Sequence, residues 1–285
     1  MGRSIVTSVK GQLSPLQPAY SGVPQGSVLG PLLFILYVST LPAAVHRSTT
    51  AMFADDNVIY NVNCNSFLDS GNDCCALKSD TNRVFDRFQK RNTLINAEKS
   101  NEMVFCRCST AADPVSHAPQ PISLGSSFVR RSSSVRHLGV TISSLLNWSP
   151  HINSLLRSVG WKVALMKRLA FRARLSLCPF SLFYKSLVRT GLEYASGVWD
   201  GSSVADSRSL ERVQLSLART ILSANLGSSC VTHLSKSQLL LLVRWPTLSW
   251  RRRRQTLFYF WKLKTGNGPP SLFAKLPASV SDRCS

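Results

Sequence analysis

The hydrophobic pattern of this 285-residue chain changes near Trp148, and this change limits the folds that the chain can form. Before Trp148, apolar residues alternate with others in short runs rich in β-formers, as in TAMFADDNVIYNV at 50–62. After it, apolar residues recur at a helical spacing that would place Val159, Val163, Met166 and Ala170 on one face. Strands repeat every two residues and helices about every 3.6, so the pattern predicts an α+β first part and a mainly helical second part.

Turn and capping signals divide both parts into elements. Ser149 followed by Pro150 predicts an N-cap and the first turn of a long helix, and a further helix is expected near 208–222. The first part is predicted to contain a hairpin that turns near Lys10 and Gly11, a helix at about 31–40, two strands around Asp55 and Asp56, a helix at about 72–92, a strand at 102–107, and short strands near 122–130 and 135–142.

Residues 28–45 are apolar enough to suggest a membrane span. However, Pro31 and Pro42 bracket only about ten residues of uninterrupted helix former, fewer than the roughly 20 that a bilayer requires. Pro31 suits a first helical turn, and the residues after it are apolar on all sides. We therefore expect a buried helix here and no membrane partner.

Basic residues are concentrated in the second part of the chain. Residues 1–128 carry 10 Lys or Arg against 9 Asp or Glu, whereas residues 129–285 carry 24 against 5, a net charge of +1 against +19. This excess predicts a polyanionic partner, and nucleic acid is favoured over an anionic membrane surface. The segment WRRRRQTLFYFWK at 250–262 is explained equally well by a surface that binds phosphates and stacks bases or by the start of a basic helix.

Eight cysteines lie at 64, 74, 75, 106, 108, 178, 230 and 284. Cys74, Cys75, Cys106 and Cys108 contain no C-x₂-C pair, and no nearby histidine completes a zinc-binding set with them, so we expect neither zinc nor a disulfide framework. No charged-then-apolar leader follows Met1. We therefore expect an intracellular protein, in the nucleus or cytoplasm, with reduced thiols. The oligomeric state stays open.

Asp55 and Asp56 stand side by side between apolar residues, and the residues alone leave two interpretations open. Aspartate and asparagine are common in turns, so the tip of a hairpin explains the pair without any chemistry. Alternatively, because charges are costly to bury unpaired, the pair binds a cation. Taken by itself, the pair favours the turn.

Four motifs then occur in order: SGVPQGSVLGPLLF at 21–34, FADD at 53–56, INAEKSNEMVF at 95–105 and HLGVTISSLLNWSPHI at 137–152. This ordered set resembles the reverse transcriptases of non-LTR (LINE-type, jockey-like) retrotransposons. The resemblance implies a partial polymerase palm of the right-hand fold and a thumb-like helical region. The implied domains are a palm at 1–125, a hairpin like a primer grip at 126–148, and a basic thumb and C-terminal region at 149–285.

The resemblance also implies an RNA-directed DNA polymerase that uses Mg²⁺ or Mn²⁺ to add deoxynucleoside triphosphates to a DNA primer on an RNA template. Such a reaction uses two metal ions, which activate the primer 3′-hydroxyl and neutralise the triphosphate, and hard carboxylate oxygens hold them. By resemblance, Asp55 and Asp56 are the catalytic metal ligands. Lys99 would neutralise or protonate the departing pyrophosphate.

Further residues are implied to contact the nucleic acid. Gly22, Pro24, Gln25 and Gly26 resemble the loop that lies against the templating base and the incoming nucleotide. The hairpin implied to grip the primer contains His137, Leu138 and Gly139. The basic residues implied to bind duplex phosphates are Arg157, Arg168, Arg172, Arg251, Arg252, Arg253 and Arg254.

One feature departs from the family pattern. The family has a further catalytic aspartate on an earlier palm strand, before the SGVPQG loop, whereas the first acidic residue here is Asp55. We therefore expect the chain to be inactive alone. Two alternatives remain: a non-catalytic basic protein that binds nucleic acid, and an inert transposon remnant.

Overall fold

A computed structural model of the chain describes residues 3–19, 22–23, 26–62, 70–105, 121–269 and 272. This part divides into two compact units, an amino-terminal unit that ends at Ser132 and a carboxy-terminal unit that begins at Ser133, with Phe105 grouped with the second. Helices and strands are both present, as the predicted α+β class requires.

The strands of the amino-terminal unit pair two by two within the described residues. Five antiparallel or parallel pairs form: β1 with β4, β2 with β3, β5 with β6, β8 with β9, and, in parallel, β7 with β10. The strands are β1 (Arg3–Ile5), β2 (Ser8–Val9), β3 (Gln12–Leu13), β4 (Gln17–Ala19), β5 (Thr49–Phe53), β6 (Asp56–Tyr60), β7 (Asn101–Glu102), β8 (Ser123–Leu124), β9 (Ser127–Phe128) and β10 (Arg130–Arg131).

Turn chemistry predicted the first hairpin correctly. Lys10 and Gly11 connect β2 to β3 with φ angles of 51° and 82°, and two consecutive positive φ angles suit the twist of a two-residue hairpin turn. The strand predicted at 102–107 is shorter, because β7 ends at Glu102, and residues 106–107 lie outside the described part.

Helix α1 (Gly30–Val38) corrects the prediction of a buried helix. Gly30 and Val38 are buried, but the leucines and isoleucine between them are 50–59% exposed. The described residues cover mainly the carboxyl end of the helix, where Arg91 Nη1 donates to the carbonyl oxygen of Tyr37 (3.0 Å). A helix that is apolar on all sides needs neighbours on every side, and the described part of this unit supplies too few of them.

Helix α2 (Ser70–Gln89) matches the helix predicted at 72–92 and forms the core of this unit. Val84 is buried with Leu41 and Ala44, the latter in a short 3₁₀ helix at Pro42–Ala44. Phe85, one residue further, packs with the β8–β9 hairpin. The amino-terminal unit therefore has two small apolar clusters on one helix.

A buried carboxylate on α2 holds the loop that leads into β5. Asp80 is fully buried and accepts hydrogen bonds from the backbone N–H groups of His46, Arg47 and Ser48 at 2.8–3.1 Å. Arg83 adds an ion pair at 2.8 Å. Burial alone would raise the pKa of Asp80, but the backbone donors outweigh it and lower the pKa to about 2. The start of the β5–β6 hairpin is thereby fixed to the core.

The carboxy-terminal unit is a helical bundle with one hairpin. Its large buried side chains include Trp199, Tyr184, Phe180 and Met166, so this unit has the larger core. Its elements are β11 (Ser134–His137), β12 (Val140–Ser143), α3 (Ser149–Arg172), α4 (Leu177–Phe183), a π-helical segment (Tyr184–Arg189), α5 (Thr190–Glu193), α6 (Ser196–Trp199), α7 (Val204–Leu226), α8 (Ser228–Thr232), α9 (Lys236–Val243) and α10 (Leu248–Lys264).

The predicted apolar face of α3 is confirmed, but the predicted N-cap of α3 is wrong. Val159, Met166 and Ala170 are buried on α3, and Val163 packs half-buried against the same core. The helix is preceded by Trp148 rather than capped by Ser149, whose hydroxyl instead donates to Asp206 Oδ2 at 2.8 Å. Since Asp206 lies in the first turn of α7, this bond joins the starts of the two longest helices.

A buried histidine connects the hairpin to the helices. His151 on α3 is 1% exposed, and its Nδ1 accepts a hydrogen bond from the backbone N–H of Thr141 on β12 (3.2 Å). Its ring lies 5.9 Å from that of Trp199. Burial, with the nearby Arg136 charge, lowers the pKa of His151, so the imidazole is neutral and able to accept this bond.

Candidate active site and nucleic-acid surface

Asp55 and Asp56 lie at the tip of the β5–β6 hairpin. Phe53 pairs with Asp56, which leaves Ala54 and Asp55 as a two-residue turn. Ala54 has a φ of 53°, a left-handed conformation that is strained for a residue with a Cβ. Both aspartates are exposed, as predicted for a hairpin tip, and among the described residues their carboxylates have no hydrogen-bond or ion-pair partner. Both carboxylates can therefore accept an outside ligand.

The two carboxylates are suitable ligands for a divalent cation, but two residues alone are too few to hold the metal ions of a polymerase site. Carboxylate oxygens are the hard ligands that Mg²⁺ takes in proteins. In the described part of the chain, however, no third histidine, cysteine, aspartate or glutamate joins them in a metal-binding cluster. A two-metal site on this hairpin would therefore need a further ligand.

The glycine-rich loop is described only in part. Gly22 and Gly26 both have positive φ angles, 85° and 83°, that favour glycine. The side chain of Arg3 donates to the carbonyl oxygen of Gly22 (2.7 Å), which ties this loop to β1. Pro24 and Gln25 lie outside the described residues.

Lys99 is exposed in a turn before β7. The backbone N–H of Lys99 donates to Asn96 Oδ1 (3.1 Å), so the asparagine side chain shapes the turn. The ammonium group has no ion-pair partner among the described residues. It is available to an anion.

The turn formed by Leu138 and Gly139 closes the β11–β12 hairpin, in which His137 pairs with Val140. Both turn residues have positive φ angles, 46° and 80°. The Tyr194 hydroxyl donates to the carbonyl oxygen of Leu138 (2.9 Å), and a Cβ on Gly139 would come within 3.0 Å of the Tyr194 ring. Glycine is thus required both for the backbone and for the packing.

The predicted phosphate-binding residues of α3 are all at the surface. Arg157, Arg168 and Arg172 are exposed, and no ion pair engages them within the described part of the chain. They lie on the side of α3 opposite its buried face. Helix α7 also carries exposed basic residues, namely Arg208, Arg212 and Arg219.

The four arginines of α10 divide into two pairs. Arg251 makes a two-pronged ion pair with Glu193, which raises the pKa of the Arg251 guanidinium. Arg252 is 2% exposed; its guanidinium lies 5.4 Å from the Trp199 ring and 3.5 Å from the Asp200 carboxylate. Arg253 and Arg254 are exposed. Among the described residues, Arg253 and Arg254 are the predicted phosphate ligands on α10 that have no acidic partner.

The distribution of acidic residues in the sequence is related to which arginines of α10 are paired. The carboxy-terminal unit has few acids, and Glu193, Asp200, Asp206 and Glu211 precede a stretch at 212–281 that contains none. Basic residues greatly outnumber these acids, so the composition indicates that some of the arginines are paired with them. Which ones depends on packing, since adjacent arginines on a helix face different directions.

Comparison with known proteins identifies the class. Residues 2–142 match the family described as reverse transcriptase (RNA-dependent DNA polymerase). This span contains the glycine-rich loop, the aspartate hairpin, Lys99 and the Leu138–Gly139 turn. The chain therefore contains part of a reverse transcriptase domain, a class that uses divalent metal ions and extends DNA primers on RNA templates.

More specifically, the chain belongs to the reverse transcriptases of LINE-type, non-LTR retrotransposons. It is 31% identical over 226 residues to the RNA-directed DNA polymerase from mobile element jockey of Drosophila melanogaster. The aligned region covers 77% of this chain and 23% of that protein. It is 28% identical to the probable RNA-directed DNA polymerase from transposon X-element of the same species, with 77% and 24% covered. It is 26% identical to the jockey polymerase of Drosophila funebris, again with 77% and 24% covered.

The chain thus spans about a quarter of the length of these relatives. No solved structure matches it. Among the described helices, none combines the length and the apolar character needed to cross a bilayer.

Proposed function

We propose that this chain supplies the aspartate hairpin and the thumb-like region of an RNA-directed DNA polymerase. The observation that carries the proposal is the pair of exposed, unpartnered carboxylates at the tip of a hairpin that lies inside the reverse transcriptase match. A purely structural turn does not need two adjacent charges. A hairpin anchored at its base by Asp80 presents both charges to a ligand at a fixed position.

In this function Asp55 and Asp56 bind the divalent ion, Mg²⁺ or Mn²⁺. The bound metal supplies charge neutralisation at the triphosphate and a more acidic primer hydroxyl. Lys99 offers its ammonium group to the departing pyrophosphate. The loop of Gly22, Pro24, Gln25 and Gly26 lies against the base pair being formed, since its glycines permit a close backbone approach. The hairpin of His137, Leu138 and Gly139 holds the primer strand.

The domain assignment follows from these roles. Residues 1–125 act as the partial palm, residues 126–148 as the hairpin like a primer grip, and residues 149–285 as the basic thumb and C-terminal region. The right-hand polymerase fold is part of this proposal. The exposed arginines of the thumb clasp an RNA–DNA duplex by its phosphates: Arg157, Arg168, Arg172, Arg253 and Arg254.

The aspartate pair needs a further carboxylate for catalysis. Two of the other acids of the amino-terminal unit have structural partners, since Asp80 holds the loop at 46–48 and Glu102 binds Arg131 at 3.0 Å. Metal ions that lack one carboxylate ligand would be displaced from the reacting atoms. A displacement of about 1 Å can lower the rate about a hundredfold. The 285-residue chain alone is therefore inactive, and a preceding palm segment restores activity.

A primer-extension assay tests the proposal. Deoxynucleotide incorporation on an RNA template with a DNA primer is measured in Mg²⁺ and in Mn²⁺, for this chain and for a version with the preceding palm segment of the jockey polymerase fused upstream. Activity should appear only in the extended protein, vanish there with Asp55→Ala, and persist with Asp86→Ala, which changes an exposed aspartate on α2.

Two results would contradict the proposal in different ways. Extension by the 285-residue chain alone, abolished by Asp55→Ala, would show that another acid of this chain, such as Asp80, Asp86 or Glu102, supplies the further carboxylate. Extension by the longer protein that survives Asp55→Ala would remove the catalytic role of the hairpin. If neither protein extends primers but both bind the duplex, the chain is a non-catalytic nucleic-acid binder.

A further inference from the structure

The last two turns of α10 are exposed almost all around. Four consecutive aromatic residues, Phe258, Tyr259, Phe260 and Trp261, are 43–56% exposed. Leu257 before them is 60% exposed, and of the side chains at 257–264 only that of Leu263 is half-buried. We call residues 257–264 the aromatic segment. Contiguous apolar surface of this kind marks an interaction site in proteins.

The rings of the aromatic segment are ordered relative to one another. Phe258 and Trp261 have ring centroids 6.0 Å apart and planes only 21° from parallel. Tyr259 is anchored, because its hydroxyl accepts a hydrogen bond from Gln255 Nε2 (3.2 Å) and its ring lies against Gly197, where a Cβ would come within 3.1 Å. The helix therefore presents the nearly parallel rings of Phe258 and Trp261 next to the anchored ring of Tyr259.

Cations are interleaved with these rings. Lys262 Nζ lies 4.8 Å from the Phe258 ring centroid, and Lys264 Nζ lies 5.9 Å from that of Phe260. A helix that rests on a membrane surface instead separates its apolar and charged residues onto opposite faces. The mixture of flat rings with adjacent positive charges suits a ligand that alternates flat apolar groups with negative charges.

Charge also argues against a second copy as the occupant. The stretch at 212–281 contains no acidic residue, so two copies of this surface would bring positive charges together across a symmetric interface. A single-stranded nucleic acid has the required alternation, because each nucleotide pairs a base face with a phosphate. In a duplex those faces are stacked on each other and closed to side chains.

We infer that the aromatic segment binds single-stranded nucleic acid by stacking unpaired bases on Phe258 and Trp261, with Lys262 and Lys264 at the neighbouring phosphates. This site uses residues other than the arginines proposed to bind the duplex, two of which, Arg253 and Arg254, precede it on the same helix. It shares with the proposed function only a nucleic-acid partner, and it would hold a strand before or after it is part of the template–primer duplex.

The test uses the full chain and two labelled probes, an oligouridylate single strand and an RNA–DNA duplex of equal length. The variant Phe258→Leu with Trp261→Leu keeps apolar side chains but removes the ring faces. Leu257→Ala is the matched control, since it truncates an equally exposed apolar residue of the same segment. Affinity is measured by fluorescence anisotropy as a function of salt, and folding is checked by thermal melting.

The double variant should bind the single strand at least about fivefold per ring more weakly, with an unchanged salt slope, because stacking releases no counterions. Its duplex affinity and that of Leu257→Ala should equal those of the unchanged chain. Equal losses on both probes, or no loss on the single strand, would overturn the inference. So would a wild-type dimer that the double variant converts to monomers, which would assign the surface to a second copy.

The outcomes also separate this inference from the proposed function. If single-strand binding does not depend on Phe258 and Trp261 while the extended protein still extends primers, only the inference is removed. Failure of primer extension in the extended protein, with ring-dependent binding intact, removes the polymerase proposal alone.

Discussion

Three aspartates of the amino-terminal unit show how the surroundings set the role of one side chain. Asp55 and Asp56 are exposed and have no described partner, so their charge is available to a ligand. Asp80 is fully buried and interacts with three backbone N–H donors and an arginine, so its carboxylate stabilises a loop. A buried carboxylate that is fully hydrogen-bonded strengthens the fold, whereas a pair of exposed carboxylates is open to metal.

Asp80→Asn should destabilise the amino-terminal unit by about 2 kcal/mol at pH 7, because the lowered pKa of Asp80 reports that much preference for the ionised form in the folded state. Since the folded pKa lies below the unfolded value, this stability is present at neutral pH and is lost as the pH falls from about 4 to about 2. Urea unfolding at several pH values measures it.

Asp86→Asn on the same helix is the control, since Asp86 is exposed. It should change the free energy of unfolding by less than about 0.5 kcal/mol. An Asp80→Asn variant as stable as the unchanged chain at pH 7 would show that the loop at 46–48 does not depend on the carboxylate.

Helix α10 shows how one element serves packing and surface chemistry together. Its first half contributes Leu248 and Arg252 to the core, while Arg253 and Arg254 face the solvent. The aromatic segment then extends from this packed half. Of the four arginines, Arg251 and Arg252 are therefore engaged within the unit, and only Arg253 and Arg254 stay exposed as candidates for phosphate binding.

Arg252→Gln and Arg253→Gln should have opposite consequences. The first should lower the free energy of unfolding by about 3 kcal/mol, because it leaves Asp200 without its buried cationic partner. The second should leave stability within about 0.5 kcal/mol and weaken nucleic-acid binding. Urea unfolding and duplex binding of the two variants are compared directly, and equal destabilisation by both would contradict the division of the arginines.

In the complete chain, charge and architecture divide at nearly the same place. Residues 1–132 carry 12 basic and 9 acidic side chains, whereas residues 133–285, which begin the helical unit, carry 22 and 5. Charge of one sign on a well-packed unit opposes its own folding, so it is retained where a polyanion neutralises it. The hairpin of Asp55 and Asp56 lies in the nearly neutral unit, where metal ligands would dominate the local field.

Binding of an RNA–DNA duplex should therefore depend steeply on salt. A plot of log affinity against log salt should be linear, with a slope of about −0.9 per neutralised phosphate. Replacing Arg157, Arg168 and Arg172 together by Gln should reduce the slope without changing sequence preference, because phosphate contacts position the protein but read no bases. A salt-independent affinity would contradict binding by charge.

Local signals were enough to predict much of this chain. The turn at Lys10 and Gly11, the apolar face of α3 and the hairpin at Asp55 all depend on a few neighbouring residues, and each was predicted correctly. Contacts between distant residues were not predictable in this way. Ser149 bonds Asp206 instead of capping its own helix, Arg252 is buried against Trp199, and α1 stays exposed although it is apolar on all sides. Periodicity reports which residues prefer to be covered, but which segments lie close enough to cover or pair with them depends on the packing of the entire unit.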